Sequence, residues 1–133
     1  GIGLFAVAAT DPSSSVIAIE SSRSAVDDSR RNLAGRAASI ELGQVGRWRP
    51  GAEQHVDVFI ADPARSGLGR PGVAAVVGSA PPLVVLVSCD PVAAARDAAL
   101  LGQHGYRHDG TEVLDLFPQT HHVECVTRFV RAD

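Results

Sequence analysis

The sequence predicts an α/β protein built on a mostly parallel sheet, and three observations support that class. Short, nearly continuous apolar runs such as PLVVLVSCDP alternate with amphipathic stretches of helical length. Such runs are typical of parallel strands covered by helices on both faces. Three chemically useful residues, Glu20, Asp62 and Cys89, lie at the ends of predicted strands. Open α/β sheets bind their ligands at this carboxyl edge, so the pattern predicts a site there.

The elements can be assigned in order along the chain. Strands are predicted over residues 15–20, 38–45, 55–63, 82–91, 106–117 and 121–130. Helices are predicted over residues 22–36 and 91–102, and a helix or loop around Pro71 over residues 69–79. Asp90 is a suitable N-cap and Pro91 suits a first helical turn. No long helix separates the last two strands, so we expect them to form an antiparallel pair.

Length and composition narrow the class of protein further. The chain has 133 residues, 45% of them hydrophobic, which predicts one domain over residues 1–133. No apolar block approaches the roughly 20 residues of a membrane-spanning helix. No secretory signal is visible, so we expect reduced thiols, a cytoplasmic location and no membrane partner.

The net charge and the scattered basic residues argue against a chain that binds nucleic acid without another domain. The formal net charge is −3, and the 12 basic residues are all arginine and scattered. Proteins that hold RNA or DNA alone usually have a basic patch or stripe. We therefore expect most phosphate contacts to come from elsewhere. The chain also contains no methionine, so it is expected to be a processed product or a fragment.

Two features near the amino terminus are compatible with a nucleotide cofactor. The segment GIGLF contains a Gly-x-Gly turn, which lets a backbone approach a nucleotide closely but is equally common in ordinary turns. Glu20 ends a strand about 16 residues later, and a carboxylate there can accept hydrogen bonds from ribose hydroxyls. A solvated carboxylate or a helix cap is the competing interpretation.

Two further segments carry candidate chemistry at strand ends. In ADPARSGL, Asp62 could hold an amine and Arg65 a phosphate, although a capped turn explains the same residues. In SCDP, Cys89 lies where a strand ends and a helix begins. A free cysteine is often just a small buried hydrophobic residue, but this position makes Cys89 a candidate nucleophile.

The last motif, DLFPQTHHVECV, contains a candidate general base and two adjacent histidines that could suggest a metal site. Adjacent His121 and His122 would point to opposite sides of an extended strand, so joint metal ligation is awkward and no metal is expected. Glu124 could act as a general base. Cys125 would point away from it and is expected in the core.

Taken together, GIGLF, Glu20, DPARSGL, SCDP followed by ARD, and DLFPQTHHVE resemble one family at family-like spacing. This is the family of S-adenosylmethionine-dependent RNA methyltransferases that make 5-methyluridine in tRNA and rRNA. The resemblance covers nearly the whole chain. It implies a class I methyltransferase, Rossmann-like sheet, here the C-terminal part of the catalytic domain with the family's first strand missing.

The resemblance also implies the cofactor, the substrate and the role of each residue. Cys89 would add to carbon 6 of a uracil, and Glu124 would remove the proton from carbon 5. S-adenosylmethionine would be bound by Gly1, Gly3, Leu4, Glu20, Gln44 and Asp62. Gln44 departs from the Asp or Asn often found at that position in the family. The substrate would be a uridine in RNA, with rRNA favoured over tRNA.

Three alternative functions assign different roles to the Gly-x-Gly turn, Cys89 and Glu124. A nicotinamide-dependent oxidoreductase would use the Gly-x-Gly turn but give Cys89 and Glu124 no role. A non-catalytic methyltransferase-like module would bind RNA or a partner and tolerate loss of Cys89. Formation of 5-methylcytidine would also use a cysteine, although FPQTHHVE differs from the usual motifs of such enzymes. We expect an RNA-binding domain to be encoded upstream and the 133 residues alone to be inactive or weak.

Overall fold

The computed structural model describes residues 1–52, 54–120 and 123–132. The chain folds as two compact units, Gly1–Trp48 and Arg49–Asp133. The expected single domain over residues 1–133 therefore stays a prediction. No helix of the described residues is both long and apolar enough to cross a membrane.

The first unit is a two-stranded parallel sheet with helices. Its elements are α1 (Leu4–Ala8), β1 (Val16–Glu20), α2 (Arg23–Asn32), β2 (Ala38–Leu42) and a short 3-10 turn (Val45–Arg47). Strands β1 and β2 pair in parallel, from Val16 opposite Ala38 to Glu20 opposite Leu42. Both strands therefore end at the same edge of this sheet.

Helix α2 begins close to the predicted start, but it ends at Asn32 and not at residue 36. The Ser22 side chain caps it by accepting a hydrogen bond from the backbone N–H of Ala25 at 3.5 Å. Arginines occupy its last turn, where positive charge suits the helix dipole. Val26 and Leu33 are 1% and 3% exposed, so the apolar side of this helical segment supplies much of the core of the first unit.

The second unit is a mixed four-stranded sheet. Its elements are β3 (Val58–Ala61), α3 (Gly69–Ser79), β4 (Leu83–Ser88), α4 (Pro91–Gln103), β5 (Tyr106–Leu114) and β6 (Glu124–Arg131). The strand order is β3-β4-β6-β5. Strands β3 and β4 are parallel, whereas β6 is antiparallel to both of its neighbours. The last strand of the chain thus lies beside the strand that leads to Cys89.

The core of the second unit lies where α3 and α4 meet the sheet. Val76, Val84, Leu86, Leu101 and Phe129 are each at most 1% exposed. Helix α3 forms in spite of its proline, which falls in the first turn and removes no intrahelical hydrogen bond there.

The α/β class and the antiparallel C-terminal pair are confirmed, as are the Asp90 cap and Pro91 at the start of α4. Strand β5 ends at Leu114, so its predicted extension to residue 117 is wrong. Residues beyond it enter a turn in which Thr120 donates to the carbonyl of Phe117. Helix α1 was not expected from the sequence. Among the described strands, β1 and β2 pair only with each other.

Candidate functional site

Strands β4 and β6 bring the two candidate reacting residues to one end of the second unit. Their antiparallel ladder ends with Ser88 opposite Cys125. Cys89 follows Ser88 in the bend just beyond the ladder, and Glu124, the residue before Cys125, is the first residue of β6. Cys89 and Glu124 therefore lie at the same end of the β4–β6 pair, which brings a thiol and a carboxyl group to one edge of the sheet.

The turn that holds Cys89 is fixed by the residues on either side of it. The Ser88 hydroxyl donates to the carbonyl of Asp90 at 3.1 Å and accepts from the Asp90 N–H at 3.3 Å. Asp90 Oδ1 accepts from the N–H of Ala93 at 2.8 Å, capping α4. Cys89 is half-buried between these contacts. Cys125 is buried, as predicted, at 8% exposure.

Glu124 begins β6 and has the character of a base. It is half-buried, and burial raises the pKa of its carboxyl, with the charge of Asp62 adding to the increase. Asp62 follows β3 directly. Its surface is exposed, yet surrounding protein atoms raise the pKa of Asp62 as well. A carboxylate with a raised pKa takes up a proton more readily, which suits general-base catalysis near neutral pH.

The glycine turn at the start of the first unit is held by α2. Gly3 has a φ of 91°, a left-handed conformation that favours glycine. A Cβ atom on Gly3 would lie 3.1 Å from Ser29 Oγ. The Asn32 side chain donates to the carbonyl of Ile2 at 2.9 Å. These α2 contacts were missed from the sequence, because polar residues of a surface helix give no sign of a partner about 30 residues away.

Glu20 lies at the end of β1 beside this turn. Its Oε1 accepts from the N–H of Ser22, the N-cap residue of α2, at 2.6 Å. One carboxylate oxygen is therefore held by the start of α2, next to the predicted cofactor turn. Leu4, the first residue of α1, is 66% exposed.

A pocket of about 400 Å³ opens at the carboxyl ends of β1 and β2. Its lining residues are Ile19, Ser21, Glu41, Leu42, Gly43, Gln44, Arg47 and Trp48. It combines apolar walls with an amide and charged groups, as sites for small organic ligands commonly do. Gln44, a predicted cofactor residue, thus lies at a pocket next to the strand end that carries Glu20.

The predicted site residues fall into the two units. Gly1, Gly3, Leu4, Glu20 and Gln44 belong to the first, and Asp62, Cys89 and Glu124 to the second. His121 and His122 lie outside the described residues, so the expectation that they do not bind a metal together stays a prediction. Among the residues that the structure does describe, no cluster of His, Cys, Asp and Glu could hold a metal ion.

Sequence comparison relates the chain to RNA methyltransferases. No family model matches it. It is 40% identical over 131 residues to an uncharacterized RNA methyltransferase of Streptomyces avermitilis, covering 95% of this chain and 30% of the relative. An uncharacterized RNA methyltransferase of Thermotoga maritima is 35% identical over 136 residues, covering 100% of this chain and 31% of that protein. The chain therefore spans about 30% of the length of these curated relatives.

Structural comparison agrees with the sequence relatives. The Pyrococcus abyssi tRNA (uracil-54, C5)-methyltransferase in complex with S-adenosyl-L-homocysteine superposes with a TM-score of 0.84 at 32% identity, covering 98% of this chain and 32% of that one. The N-methyltransferase NodS of Bradyrhizobium japonicum has a TM-score of 0.72 at 10% identity, over 90% of this chain and 67% of NodS. At that identity NodS supports the class I methyltransferase fold alone.

Proposed function

We propose that this chain, which spans about 30% of the length of the curated RNA methyltransferases that it matches, belongs to their family and carries the reacting residues for methylation of carbon 5 of a uridine in RNA. The methyl donor is S-adenosylmethionine. The observation that carries the proposal is the β4–β6 pairing, whose ladder ends with Ser88 opposite Cys125, so that the neighbouring residues Cys89 and Glu124 lie at the same end of the two strands. This chemistry needs a thiol and a base at the same place.

Cys89 serves as the nucleophile. Carbon 5 of uracil is a poor nucleophile until a group adds at carbon 6. The thiolate of Cys89 forms a bond to carbon 6, and the electrons of the 5,6 double bond move toward the carbonyl oxygen on carbon 4, leaving an enolate. Carbon 5 of that enolate is nucleophilic, so covalent catalysis replaces one difficult step with easier ones. S-adenosylmethionine, when bound, supplies the methyl group that carbon 5 accepts.

Glu124 completes the reaction as the general base. Its carboxylate takes the proton from carbon 5, the 5,6 double bond re-forms, and the sulfur–carbon bond breaks to release Cys89 as a thiolate. Proton removal of this kind by a positioned side chain typically contributes about 10²–10⁴ in rate. The raised pKa of Glu124, caused by burial and by the charge of Asp62, makes its carboxylate a stronger base.

The first unit has residues that fit the cofactor. Glu20 offers carboxylate oxygens to ribose hydroxyls, and Gly3 gives the Gly-x-Gly turn its left-handed backbone conformation. The neighbouring pocket, which Gln44 lines, has room and apolar walls for a purine ring. In this proposal Gly1 and Leu4 complete the turn, and the role of Asp62 toward the cofactor stays a prediction.

The nature of the RNA is part of the same proposal. The target base must leave its stack to reach the thiol, which costs a few kcal/mol. With a net charge of −3, we expect an RNA-binding domain outside these residues to hold the substrate. In this proposal the favoured substrate is rRNA, and the reaction takes place in the cytoplasm. The P. abyssi relative is named for a tRNA uracil, so tRNA is the competing substrate.

A trapped adduct tests the proposal. The full gene product is mixed with S-adenosylmethionine and cellular RNA containing 5-fluorouridine, and protein–RNA species are analysed by mass spectrometry. Fluorine at carbon 5 leaves no proton to remove, so the adduct should persist and map to Cys89. Sequencing the attached RNA distinguishes rRNA from tRNA.

Two cysteine variants serve as a matched pair. Cys89→Ala should abolish the adduct, whereas Cys125→Ala, which changes a buried cysteine one register position away, should retain it. Bound cofactor without any adduct in the unaltered protein would instead indicate a non-catalytic module or another methyl acceptor.

A further inference from the structure

The loop of residues 62–69, which joins β3 to α3 and includes Gly69, the first residue of α3, is held at its far end by Asp97 of α4. Asp97 is 0% exposed. Its Oδ2 accepts from the N–H of Leu68 at 2.6 Å, and its Oδ1 accepts from the N–H of Gly69 at 3.0 Å. These N–H groups lie at the start of α3, where a helix has no partners of its own for them. One buried carboxylate therefore secures the end of the loop.

Arg96 strengthens the same attachment. Its guanidinium donates to Asp97 Oδ1 from Nε at 3.2 Å and from Nη2 at 2.9 Å. Nη2 also donates to the carbonyl of Ser66 at 2.6 Å. Arg96 thus neutralises the buried carboxylate and binds the loop directly, while its own side chain is 49% exposed.

Gly67 shows how closely the loop approaches this pair. Its φ is +73°, a conformation that favours glycine. A Cβ atom at Gly67 would collide with both Asp97 Oδ2 and the Arg96 guanidinium. The loop is therefore shaped around the Arg96–Asp97 pair.

The position of the pair in the fold gives it a connection to the reacting residues. Helix α4 begins two residues after Cys89, and its second turn carries Asp97. The loop begins with Asp62. Burial is the larger cause of the raised pKa of Glu124, and the negative charge of Asp62 raises this pKa further. The pair thus ties the segment that carries Asp62 to the helix that follows the nucleophile.

We propose that Asp97, supported by Arg96, is a positioning residue that holds the loop of residues 62–69 in register with the turn of Cys89 and so sets the rate of covalent addition. This inference rests on the proposed function. Asp97 acts through the loop and contacts neither substrate nor cofactor. Small displacements of positioned groups can cost up to about a hundredfold in rate.

Asp97→Asn in the full gene product is the direct test. An asparagine side chain keeps the volume but turns an NH2 group toward a backbone donor, so one of the two loop hydrogen bonds is lost. We expect amide hydrogen exchange at Leu68 and Gly69 to accelerate on the order of tenfold. We also expect adduct formation with 5-fluorouridine RNA, at saturating cofactor and RNA, to slow on the order of tenfold or more.

Asp109→Asn is the matched control. Asp109 lies on the edge strand β5 and forms an exposed ion pair with Arg128 of β6 at 3.6 Å. Loss of this ion pair should change neither amide exchange at Leu68 and Gly69 nor the rate of adduct formation. If circular dichroism shows that Asp97→Asn does not fold, the same two measurements are made on Arg96→Ala. Arg96 is half-exposed, and its replacement removes the bond to Ser66 together with the charge that neutralises Asp97, so effects in the same direction are expected.

The outcomes separate the two proposals. If the unaltered protein forms the adduct and the folded variant forms it at the same rate, the positioning inference is wrong and the proposed function stands. Accelerated exchange with an unchanged rate would likewise reduce Asp97 to a structural role. If the unaltered protein binds cofactor but forms no adduct, the proposed function fails, and the positioning inference falls with it.

Discussion

Burial and the negative charge of Asp62 together raise the pKa of the Glu124 carboxyl. The two residues lie at the ends of β3 and β6, which flank β4 in the sheet. Strands two apart are separated by roughly 10 Å, a distance at which one charge still affects another across a partly buried surface. In the proposed reaction, the basicity of Glu124 is therefore increased both by burial and by a residue that follows a different strand.

Replacing Asp62 should move the pH dependence of proton removal. A nearby negative charge disfavours the ionised form of Glu124, so Asp62→Asn should lower the Glu124 pKa. Glu124 must be ionised to act as the base, so the acidic limb of the pH–rate profile should shift to lower pH. The rate is measured as tritium released from RNA containing 5-tritiated uridine, and the position of the limb is compared rather than its height.

Asp57→Asn is the control for that change. Asp57 lies just before the opposite end of β3 and is 83% exposed, so it should leave the limb in place. A limb that stays fixed in Asp62→Asn, or moves to higher pH, would show that Glu124 is not the group that titrates.

Removing the base should trap the reaction on ordinary RNA. In Glu124→Gln the thiol can still add and carbon 5 can still accept a methyl group, but the proton on carbon 5 stays. We expect turnover to fall by about 10²–10⁴ and a covalent, methylated protein–RNA species to accumulate without any fluorine. Denaturing gels followed by mass spectrometry measure both.

Glu112→Gln is the matched control for this experiment. Glu112 is exposed on the neighbouring strand β5, opposite Val126, and its change should leave turnover intact. Full turnover by Glu124→Gln would assign proton removal to another group.

Local patterns in the sequence predicted most elements, because apolar runs and capping residues act over a few positions. Asp90 and Pro91 locate the start of α4 without any tertiary information. The insertion of β6 between β4 and β5 is different, since antiparallel register depends on residues far apart in sequence. The family resemblance named Cys89 and Glu124, but only the β4–β6 pairing shows that two strands far apart in sequence bring them to the same end of the sheet.

Asp97 shows why part of the site could not be predicted. An aspartate in the middle of a helix is most simply interpreted as a solvated residue, and its partners Leu68 and Gly69 are 29 and 28 positions away. The only local sign was the ARD segment that the resemblance included. Its structural meaning depends on a glycine, Gly67, whose conformation is set by the fold.

The glycine turn of the first unit should not tolerate a side chain. Gly3→Ala would place a methyl group 3.1 Å from Ser29 Oγ on a residue with φ of 91°, and the conformation alone costs an alanine about 1–2 kcal/mol. We expect the free energy of unfolding to fall by about that amount, together with weaker binding of S-adenosylhomocysteine by calorimetry.

Gly78→Ala is the comparison for Gly3→Ala. Gly78 is exposed in α3, and nothing lies within 4 Å of its potential Cβ. It should stabilise the protein by about 1 kcal/mol through helix propensity and leave binding unchanged. Wild-type affinity in Gly3→Ala would remove this turn from the cofactor site.

The end of α3 offers a stability test that does not depend on any function. Ala80 terminates the helix in a left-handed conformation, with φ of 48°, and its N–H donates to the carbonyls of Val76 and Val77. Glycine relieves the steric cost of that conformation, about 1–2 kcal/mol, but loses about 0.4–1 kcal/mol through the greater freedom of the unfolded chain. Ala80→Gly should therefore raise the free energy of unfolding by about 0.5–1 kcal/mol, measured by urea denaturation.

Ala74→Gly is the same substitution in the interior of the same helix. Ala74 is exposed, and there glycine should destabilise by about 1 kcal/mol, because the helical conformation gives it no compensating relief. The two variants therefore differ only in backbone conformation, and their effects should have opposite signs. A loss of stability in both would mean that α3 does not end at Ala80 in solution, and that the turn leading into β4, and with it the approach to Cys89, is built differently.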